Sequence, residues 1–295
     1  MKKHTVVITE NFHPQVIKQQ LKPFVKVLHA KSQRDLVKHL SKADALISLV
    51  TDKIDKKVLS YGNQLKVVGN FAVGFDNIDI SECHKRKIKV VNTPDVLSRS
   101  TAELSLALAF AAARRFTEGE SLCRKQQFKG WHPQMFIGQE LYKKNVVLVG
   151  KGRIGVITGK LFKAIGCQVK WITSKETPNQ IKSKLKAADI VSVHLPYHQK
   201  THHWLNSQKL KYLSSNAIVI NTSRGPIVDE TALIHVLKQR KIFAAGLDVY
   251  EHEPKIPKKL SSLKNVVLLP HLGSATETAR KGMAESVIHG VLKVL

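Results

Sequence analysis

The feature that most constrains this fold is a glycine motif between a short apolar strand and a helical segment. Residues 145–149 (Asn-Val-Val-Leu-Val) predict a strand, Gly150, Gly152 and Gly155 follow in a GxGxxG pattern, and Val169–Ile172 predicts a second strand. The glycine pattern alone would be weak evidence, but strand, glycine loop, helix and strand in this order are typical of a dinucleotide-binding fold. The glycines serve a tight turn, the close approach of a pyrophosphate, and helix packing on the strand.

Short β-branched runs alternate with helical patterns along much of the 295-residue chain. In the first hundred residues we predict strands over Val6–Thr9, Val25–His29, Ala45–Leu49, Leu65–Val68 and Val90–Asn92, and helices over Val16–Leu21 and Asp35–Leu40. Later strands are predicted over Ile190–His194, Ala217–Asn221, Phe243–Leu247 and Val266–Leu269. Parallel sheets covered by helices produce this alternation. We therefore predict an α/β protein with two domains, in which Gly69 and Gly74 mark a loop of the first.

Residues from Ser98 to about Arg115 predict a long helix rich in alanine and leucine. Ser100 and Glu103 have the spacing of a capping box at its start. The helix leaves little polar surface, so it must be buried in a core or against another subunit. A homodimer and an internal helix both fit this pattern.

The charge balance is strongly basic, with 48 Lys and Arg against 22 Asp and Glu and a formal net charge of +26. Such an excess can mark a nucleic-acid binder. The basic residues are dispersed, however, and the longest clusters, such as residues 85–87, contain three. We therefore expect a basic surface that attracts anionic substrates and cofactors, and nucleic-acid binding is not expected.

The cysteines and the apolar runs exclude several other classes. Cys83, Cys123 and Cys167 form no CxxC pair, so neither a disulfide framework nor a metal site is predicted. No apolar run approaches the roughly eighteen residues that a membrane span needs. The short apolar run after Lys3 predicts a first strand and not a signal peptide. We expect a cytoplasmic protein without a membrane partner.

Polar residues follow the later strands directly, at the carboxyl ends where doubly wound sheets bind ligands. Among them are Arg224, Glu253 and His271. A planar arginine can grip a carboxylate, a histidine near neutral pKa can deliver a proton, and a carboxylate beside that histidine keeps it protonated and oriented. Hydride transfer to a 2-oxo acid requires these three functions.

Longer runs around these residues resemble the D-isomer-specific 2-hydroxyacid dehydrogenases. The runs are Ile220–Asp229, Ala245–Pro254, Leu269–Thr276, Val73–Asp79, Asn92–Pro94, Thr101–Glu103 and Val193–Pro196. They occur in order and cover nearly the whole chain. The resemblance implies two doubly wound parallel-sheet domains with the active site in the cleft between them. These are a flavodoxin-like substrate domain (residues 1–97 and 275–295) and a Rossmann dinucleotide-binding domain (residues 98–274).

The resemblance also implies the role of individual residues. Arg224 would bind the carboxylate and carbonyl oxygen of the substrate, and His271 would be the acid in reduction and the base in oxidation. Glu253 would tune His271; we choose it over Glu251 because the family places this acid immediately before a proline. The backbone of Val73 and Gly74 would receive the substrate carboxylate.

The predicted cofactor site is larger. It comprises Thr101, Gly150, Gly152, Arg153, Ile154, Gly155, Thr173, Ser174, Lys175, His194, Pro196, Thr201, Thr222, Ser223, Asp248 and Gly273. Asp248 resembles the family's aspartate that orients the nicotinamide. Enzymes that prefer NAD usually carry an acid at the end of the second strand. Here Thr173, Ser174 and Lys175 follow that strand and suit a 2′-phosphate, so NADP is predicted over NAD, although Glu176 lies close.

Three runs most resemble glyoxylate/hydroxypyruvate reductases: Ala72–Asp79, Thr93–Leu97 and Gly130–Pro133. Reduction of gluconate-type 2-keto acids and oxidation of phosphoglycerate remain open, as does a dinucleotide-sensing binding or corepressor protein on the same scaffold. The stretch between Lys175 and Ala188 is short for the family. We predict that it lacks a strand and part of a helix, and that low activity could follow.

Overall fold

The computed structural model describes residues 3–295, so the first two residues of the predicted first domain lie outside the described residues. The chain forms two compact units: the first contains the residues up to Leu97 together with Ser274–Leu295, and the second contains Ser98–Gly273. Each unit is built on a parallel sheet. The predicted fold class, two parallel-sheet α/β domains, is confirmed.

The sheet of the first unit has the strand order β2-β1-β3-β4-β5. Its strands are β1 (Thr5–Ile8), β2 (Lys26–His29), β3 (Ala45–Leu49), β4 (Val67–Phe71) and β5 (Lys89–Val91). Its first four helices are α1 (Pro14–Val16), α2 (Gln33–Leu40), α3 (Lys56–Ser60) and α4 (Ile80–Lys85). This is the order of flavodoxin-like sheets, in which ligands bind beyond the carboxyl ends of the strands.

Two sequence predictions in the first unit are corrected. The expected helix over Val16–Leu21 is a single α-turn, α1, followed by a π-helical turn over Ile17–Leu21. Gly69 was expected in a loop but lies inside β4, which continues to Phe71. Glycine occurs there because the helix Glu277–Leu292 approaches β4 closely at this residue.

The sheet of the second unit has the order β11-β10-β9-β8-β6-β7. Its strands are β6 (Asn145–Val149), β7 (Gln168–Ile172), β8 (Ile190–Val193), β9 (Ile218–Asn221), β10 (Ala244–Leu247) and β11 (Val266–Leu268). Its helices are α5 (Ser98–Ala113), α6 (Phe116–Arg124), α7 (Arg153–Ala164), α8 (Pro178–Lys186), α9 (Ser207–Leu210), α10 (Glu230–Lys238) and α11 (Lys258–Ser261), with 3-10 turns at Gln199–Thr201 and Gly225–Ile227.

The stretch between β7 and β8 contains no strand, as predicted, and β7 is the edge of the sheet. In the strand order 3-2-1-4-5-6 of such folds, the missing strand is the third. The stretch is nonetheless well formed, because α8 spans nine residues and begins with a capping box made by Thr177 and Gln180. The crossover to β8 is therefore shortened but helical.

Helix α5 begins at Ser98, two residues before the predicted cap, so the interpretation of Ser100 as an N-cap is wrong. The Ser100 hydroxyl instead donates to the carbonyl oxygen of Gly273 (2.9 Å). One face of α5 packs against β9, β10 and α7, while Phe110 on the other face is 37% exposed. Among the residues that the structure describes, no helix is long and apolar enough to cross a membrane.

Helix α12 (Glu277–Leu292) completes the first unit and packs on β4. A Cβ on Gly69 would lie 2.8 Å from the Cγ2 atoms of both Val287 and Val291. This distance is shorter than van der Waals contact, so glycine is required for the helix to reach the strand. The buried face of α12 thus fills the core of the first unit from the far end of the chain.

Candidate active site

Three predicted catalytic residues follow the carboxyl ends of neighbouring strands in the second unit. Arg224 follows β9, Glu253 lies in the loop after β10, and His271 follows β11. The Nδ1 atom of His271 lies 2.8 Å from Oε2 of Glu253. The other carboxylate oxygen of Glu253 accepts a hydrogen bond from the backbone N–H of Tyr250 (3.0 Å). The structure therefore brings the histidine and the acid into direct contact.

The turn that carries His271 is fixed by Asp248. The backbone N–H of His271 donates to the carbonyl oxygen of Asp248 (3.0 Å), and the fully buried Asp248 carboxylate accepts from the N–H groups of Leu272 (2.6 Å) and Gly273 (2.8 Å). Burial raises the pKa of Asp248 above its ordinary value. His271 has a φ of 57°, a conformation that costs a non-glycine residue energy and persists only when its surroundings impose it.

Arg224 is held by the turn that follows β9. Its carbonyl oxygen accepts from the side-chain amide of Asn221 (2.9 Å), and its Nη1 donates to the carbonyl oxygen of Ser223 (3.0 Å). The next residue, Gly225, packs so closely on Tyr250 that a Cβ would lie 1.9 Å from the Tyr250 carbonyl carbon and oxygen. Glycine at this position therefore lets the Arg224 turn approach the segment that carries Glu253.

The electrostatics of Glu253 follow from these neighbours. Burial alone would raise the pKa of Glu253, but the hydrogen bond from His271, the backbone N–H of Tyr250 and the positive charge of Arg224 together hold that pKa below its ordinary value. Glu253 therefore remains ionised near neutrality. A carboxylate fixed against Nδ1 leaves the opposite ring nitrogen, Nε2, as the position for proton transfer.

The glycine loop after β6 has the geometry that a dinucleotide needs. Gly150 has a φ of 104°, and a Cβ there would lie 2.5 Å from the His194 carbonyl oxygen; a Cβ on Gly155 would lie 2.4 Å from the Gly150 carbonyl oxygen. A Cβ on Gly152, in contrast, would meet no atom within 4 Å. Packing therefore does not explain Gly152, whereas the close approach of a pyrophosphate does.

Helix α7 begins directly after this loop. Its N-cap is Gly152, and no side chain of the N-cap residue caps the helix. The first turn contains no acidic residue. A helix N-terminus of this kind offers hydrogen bonds and a positive dipole end to phosphate groups. The loop and the helix together fit a pyrophosphate.

Several other predicted cofactor residues are tied to the same edge of the second unit. Their hydroxyl groups form hydrogen bonds with the Gly273 carbonyl for Thr101 (3.0 Å), the Ser105 hydroxyl for Thr222 (2.7 Å), the Leu195 carbonyl for Ser223, and the Pro196 carbonyl for Thr201 (2.8 Å). These bonds fix loops that follow β8, β9 and β11. They position the loops, and the contacts with a cofactor remain a prediction.

His194 directly follows the strand β8 and is partly buried beside the glycine loop. Its Nε2 atom lies 2.9 Å from the hydroxyl of Ser192. Burial lowers the pKa of His194 from its ordinary value of 6.5 to about 4. The imidazole is therefore neutral at physiological pH and can accept or donate a hydrogen bond without carrying charge.

The end of β7 differs from the sequence-based expectation. The Glu176 carboxylate turns back to accept from the backbone N–H of Thr173 (2.6 Å) and from its hydroxyl (2.7 Å), and it also accepts from Lys184 (2.8 Å). The Lys184 and Thr173 contacts lower the pKa of Glu176 to about 2. A carboxylate therefore is present at this strand end, although its charge is paired with Lys184. Ser174 and Lys175 are exposed.

In the first unit, Val73 and Gly74 lie in a loop after β4 whose carbonyl groups point inward. The carbonyl oxygen of Gly74 accepts from the amide of Asn70 (2.7 Å), and that of Val73 accepts from the amide of Asn92 (2.7 Å). The sequence reasoning missed both asparagines. Asn92 belongs to the Asn92–Pro94 run that resembles the family. No sequence pattern marks Asn70 as functional, because the predicted strand ends at Val68 and places Asn70 after it and not within it.

A family model described as "D-isomer specific 2-hydroxyacid dehydrogenase, NAD binding domain" matches residues 106–273. A glyoxylate reductase of Thermococcus litoralis is 44% identical over 271 residues, which are 87% of this chain and 82% of that protein.

Two solved structures are similar over nearly the whole chain. The protein TT0316 of Thermus thermophilus is 36% identical with a TM-score of 0.91, covering 98% of this chain and 96% of that one. The NADPH-dependent glyoxylate/hydroxypyruvate reductase of Sinorhizobium meliloti, in complex with NADP and malonate, is 27% identical with a TM-score of 0.87, covering 97% and 92%.

Proposed function

The chain belongs to the D-isomer-specific 2-hydroxyacid dehydrogenase family and is an NAD(P)-dependent oxidoreductase, and we propose that it reduces a small 2-oxo acid of the glyoxylate or hydroxypyruvate type to the D-2-hydroxy acid. The observation that carries the proposal is the 2.8 Å contact between His271 and Glu253, close in the fold to Arg224. The names of the Thermococcus and Sinorhizobium relatives support this substrate class.

Reduction adds a hydride to the carbonyl carbon and a proton to the carbonyl oxygen. A nicotinamide cofactor held by the glycine loop and Asp248 would supply the hydride. Arg224 binds the substrate carboxylate through its planar guanidinium and polarises the carbonyl oxygen. His271 donates the proton from Nε2, while Glu253 holds the ring through Nδ1 and stabilises its protonated form. The backbone N–H groups of Val73 and Gly74 are assigned to the substrate carboxylate, and no metal takes part in the reaction.

We propose that the protein prefers NADP to NAD. Exposed Ser174 and Lys175 supply a hydroxyl and a positive charge for a 2′-phosphate. Glu176 opposes a phosphate, but its pairing with Lys184 reduces that repulsion. The glycine loop, His194, Thr222 and Asp248 are assigned to the parts that NAD and NADP share.

The proposal also includes a homodimer formed through the outer face of α5. Phe110 is 37% exposed on that face, and Phe116, in the first turn of α6, is 57% exposed. Exposed aromatic side chains on a helix whose opposite face is already packed are typical of a subunit interface. Nucleic acid and membrane are not part of the proposal.

The deciding experiment follows the oxidation of NADPH and NADH by absorbance with glyoxylate, hydroxypyruvate and pyruvate. Wild type, H271A and E253Q are compared, with H235A as the control because His235 is an exposed histidine on α10. We expect turnover of one acid, a loss of at least about a hundredfold in kcat for H271A, and wild-type kcat in H235A. Dinucleotide binding without turnover of any acid would contradict the proposal and favour a sensor.

A further inference from the structure

A cluster of two histidines and a glutamate lies in the second unit and has no part in the proposed reaction. His202, His203 and Glu251 each offer one ligand atom, and these atoms lie within 4.8 Å of one another. Nε2 of His203 is 2.7 Å from Oε1 of Glu251, and the two imidazole rings are stacked with their centroids 4.0 Å apart. The cluster joins two loops that are far apart in the sequence.

The backbone explains how two consecutive histidines come to face the same way. In an extended chain successive side chains point to opposite sides. Here His202 has φ −58° and ψ 128°, His203 has φ 48°, and the Trp204 N–H donates to the carbonyl oxygen of Thr201 (3.1 Å). These values describe a type II turn, whose third position strongly favours glycine.

Histidine at that third position is therefore strained, and the surroundings must compensate. The N–H of His203 donates to the carbonyl oxygen of Pro226 (2.8 Å), and its ring contacts Glu251. Backbone strain of this kind is typically retained where it positions a functional group. What the strain achieves here is the stacking of the two imidazoles on the side that faces the carboxylate.

Glu251 gives the cluster one carboxylate ligand. The buried Glu230 carboxyl group accepts a hydrogen bond from the Glu251 backbone N–H (3.4 Å). His202 is exposed and the other two side chains are partly exposed, at 33% for His203 and 15% for Glu251. A cation could reach the cluster from solvent and retain a water ligand.

The donor set identifies the kind of cation. Two imidazole nitrogens and one carboxylate oxygen suit Zn²⁺ and its neighbours among the divalent transition metals, and exclude a preference for Mg²⁺ or Ca²⁺. Zinc binds such atoms at about 2.0–2.2 Å, which places tetrahedral ligands roughly 3.3 Å apart. The His203–Glu251 pair needs to open by about half an ångström, and the ligand atom of His202, which lies within 4.8 Å of the other two, needs to move inward.

We propose that His202, His203 and Glu251 form a binding site for one Zn²⁺ ion, with water in the fourth position, separate from the groups that perform the reduction. The sequence contains no cysteine pair, and on that pattern no metal site is predicted. This site is instead made by a histidine pair and a glutamate from another loop.

The test is a zinc titration of the full chain, with any affinity tag removed and the protein first treated with EDTA and dialysed. Binding is measured by calorimetry, and bound metal is counted by mass spectrometry after gel filtration. The variants are H202A, E251Q and H203N; asparagine tolerates the positive φ of residue 203 but is a poor zinc ligand. H198N is the matched control, because His198 lies in the same loop but outside the cluster.

We expect one equivalent of zinc in wild type and in H198N. Each of the three cluster variants should lose more than about tenfold in affinity, the cost typical of losing even an indirect partner of a metal site. Thermal unfolding without zinc checks that each variant is folded. Absence of stoichiometric zinc in wild type, or unchanged affinity in folded H202A and E251Q, would overturn the proposal. None of these readouts uses substrate or cofactor, so they are independent of the proposed reduction.

Discussion

The side-chain amide of Asn70 donates a 2.7 Å hydrogen bond to the carbonyl oxygen of Gly74, four residues further along the chain. Asn70 is fully buried in β4, and its amide group also contacts Asn77 (2.9 Å) and Ser48 (3.3 Å). The bond turns the Gly74 carbonyl inward. The loop that is proposed to bind the substrate carboxylate is therefore anchored by a side chain from within the sheet.

Replacing Asn70 by alanine should loosen this loop. The Gly74 carbonyl and the Asn77 side chain would lose a buried partner, which costs about 1–3 kcal/mol in the free energy of unfolding. We expect N70A to raise the KM for the 2-oxo acid by roughly tenfold while binding of the dinucleotide is unchanged. Urea unfolding and steady-state kinetics measure both effects. N179A, at an exposed position of α8, is the control, and an unchanged KM in folded N70A would contradict the anchoring role.

Gly225 offers a test of the approach between the Arg224 turn and Tyr250. A Cβ in G225A would lie 1.9 Å from backbone atoms of Tyr250, so one of the two segments must move. We expect kcat/KM to fall by more than about a hundredfold, because displacement by an ångström at a catalytic group has this effect. G119A is matched to it, since a Cβ on Gly119 in α6 meets no atom within 4 Å.

The G119A control should be neutral or slightly stabilising, because alanine is favoured over glycine inside a helix by up to about 1 kcal/mol. Kinetics and thermal unfolding of both variants distinguish a local clash from a general sensitivity to substitution. Wild-type kcat/KM in G225A would show that the Arg224 turn tolerates displacement and would weaken its assignment to the substrate.

The lowered pKa of His194 predicts that the free energy of unfolding depends on pH. Its pKa is lowered from 6.5 to about 4 in the folded protein, so between these pH values the unfolded chain binds more protons than the native one. Stability should therefore fall as the pH is lowered from 6.5 to 4, by at most about 3 kcal/mol for this group. The ring is partly exposed, which reduces the effect.

Urea unfolding of wild type and H194Q at pH 7 and pH 5 isolates the contribution of this histidine, because other groups contribute equally to both proteins. The loss of stability on acidification should be smaller in H194Q. Equal losses would indicate that His194 keeps an ordinary pKa in the folded state.

The negative charge of Glu176 should weaken the preference for NADPH over NADH, because it opposes a 2′-phosphate. In E176Q the side chain can still accept the bonds from Thr173, but the negative charge is gone and Lys184 becomes available to an anion. We expect the ratio of kcat/KM for NADPH over NADH to rise about fivefold, which corresponds to the roughly 1 kcal/mol typical of exposed charge pairs. K186A changes a charge at the end of α8 and serves as control. A ratio that falls or stays constant would place the 2′-phosphate elsewhere.

The exposed Phe110 on the outer face of α5 predicts that the protein is a dimer in solution. Light scattering of the wild type should give twice the mass of the 33.0 kDa chain. A charge at an apolar interface core is strongly unfavourable, so F110E should reduce that mass to one chain. F24E, at another exposed phenylalanine, should leave it unchanged. A monomeric wild type would contradict the homodimer.

Local patterns were sufficient for the parts of the structure that depend on neighbours in sequence. The glycine loop was recognised because a tight turn, a close backbone approach and a helix N-terminus each require particular residues within a few positions. The contact between His271 and Glu253 was suggested by the family motifs, which place both residues after strands. In each case the residues nearby in the sequence determine the local structure of the site.

The remaining features depend on distant segments. The sequence pattern places Gly69 in a loop, but Gly69 lies within a strand. Glycine is required there because Val287 and Val291, more than two hundred residues away in the sequence, pack against it. Ser100 resembled a cap, but its hydroxyl bonds to Gly273. The turn of Glu176 back onto Thr173 was not predicted, because side-chain conformation at a strand end depends on Lys184 in the following helix.

Helix α12 gives the chain a particular order of maturation during its synthesis. The ribosome releases the strands of the first unit before the second unit, but the helix that covers β4 through Gly69 is made only after the whole of Ser98–Gly273. The sheet of the first unit therefore keeps an uncovered apolar surface until α12 has been made. The continuous segment Ser98–Gly273, in contrast, can fold as it emerges. The first unit is thus completed only after the second, and a chaperone that shields nascent chains would have its main task at the first unit.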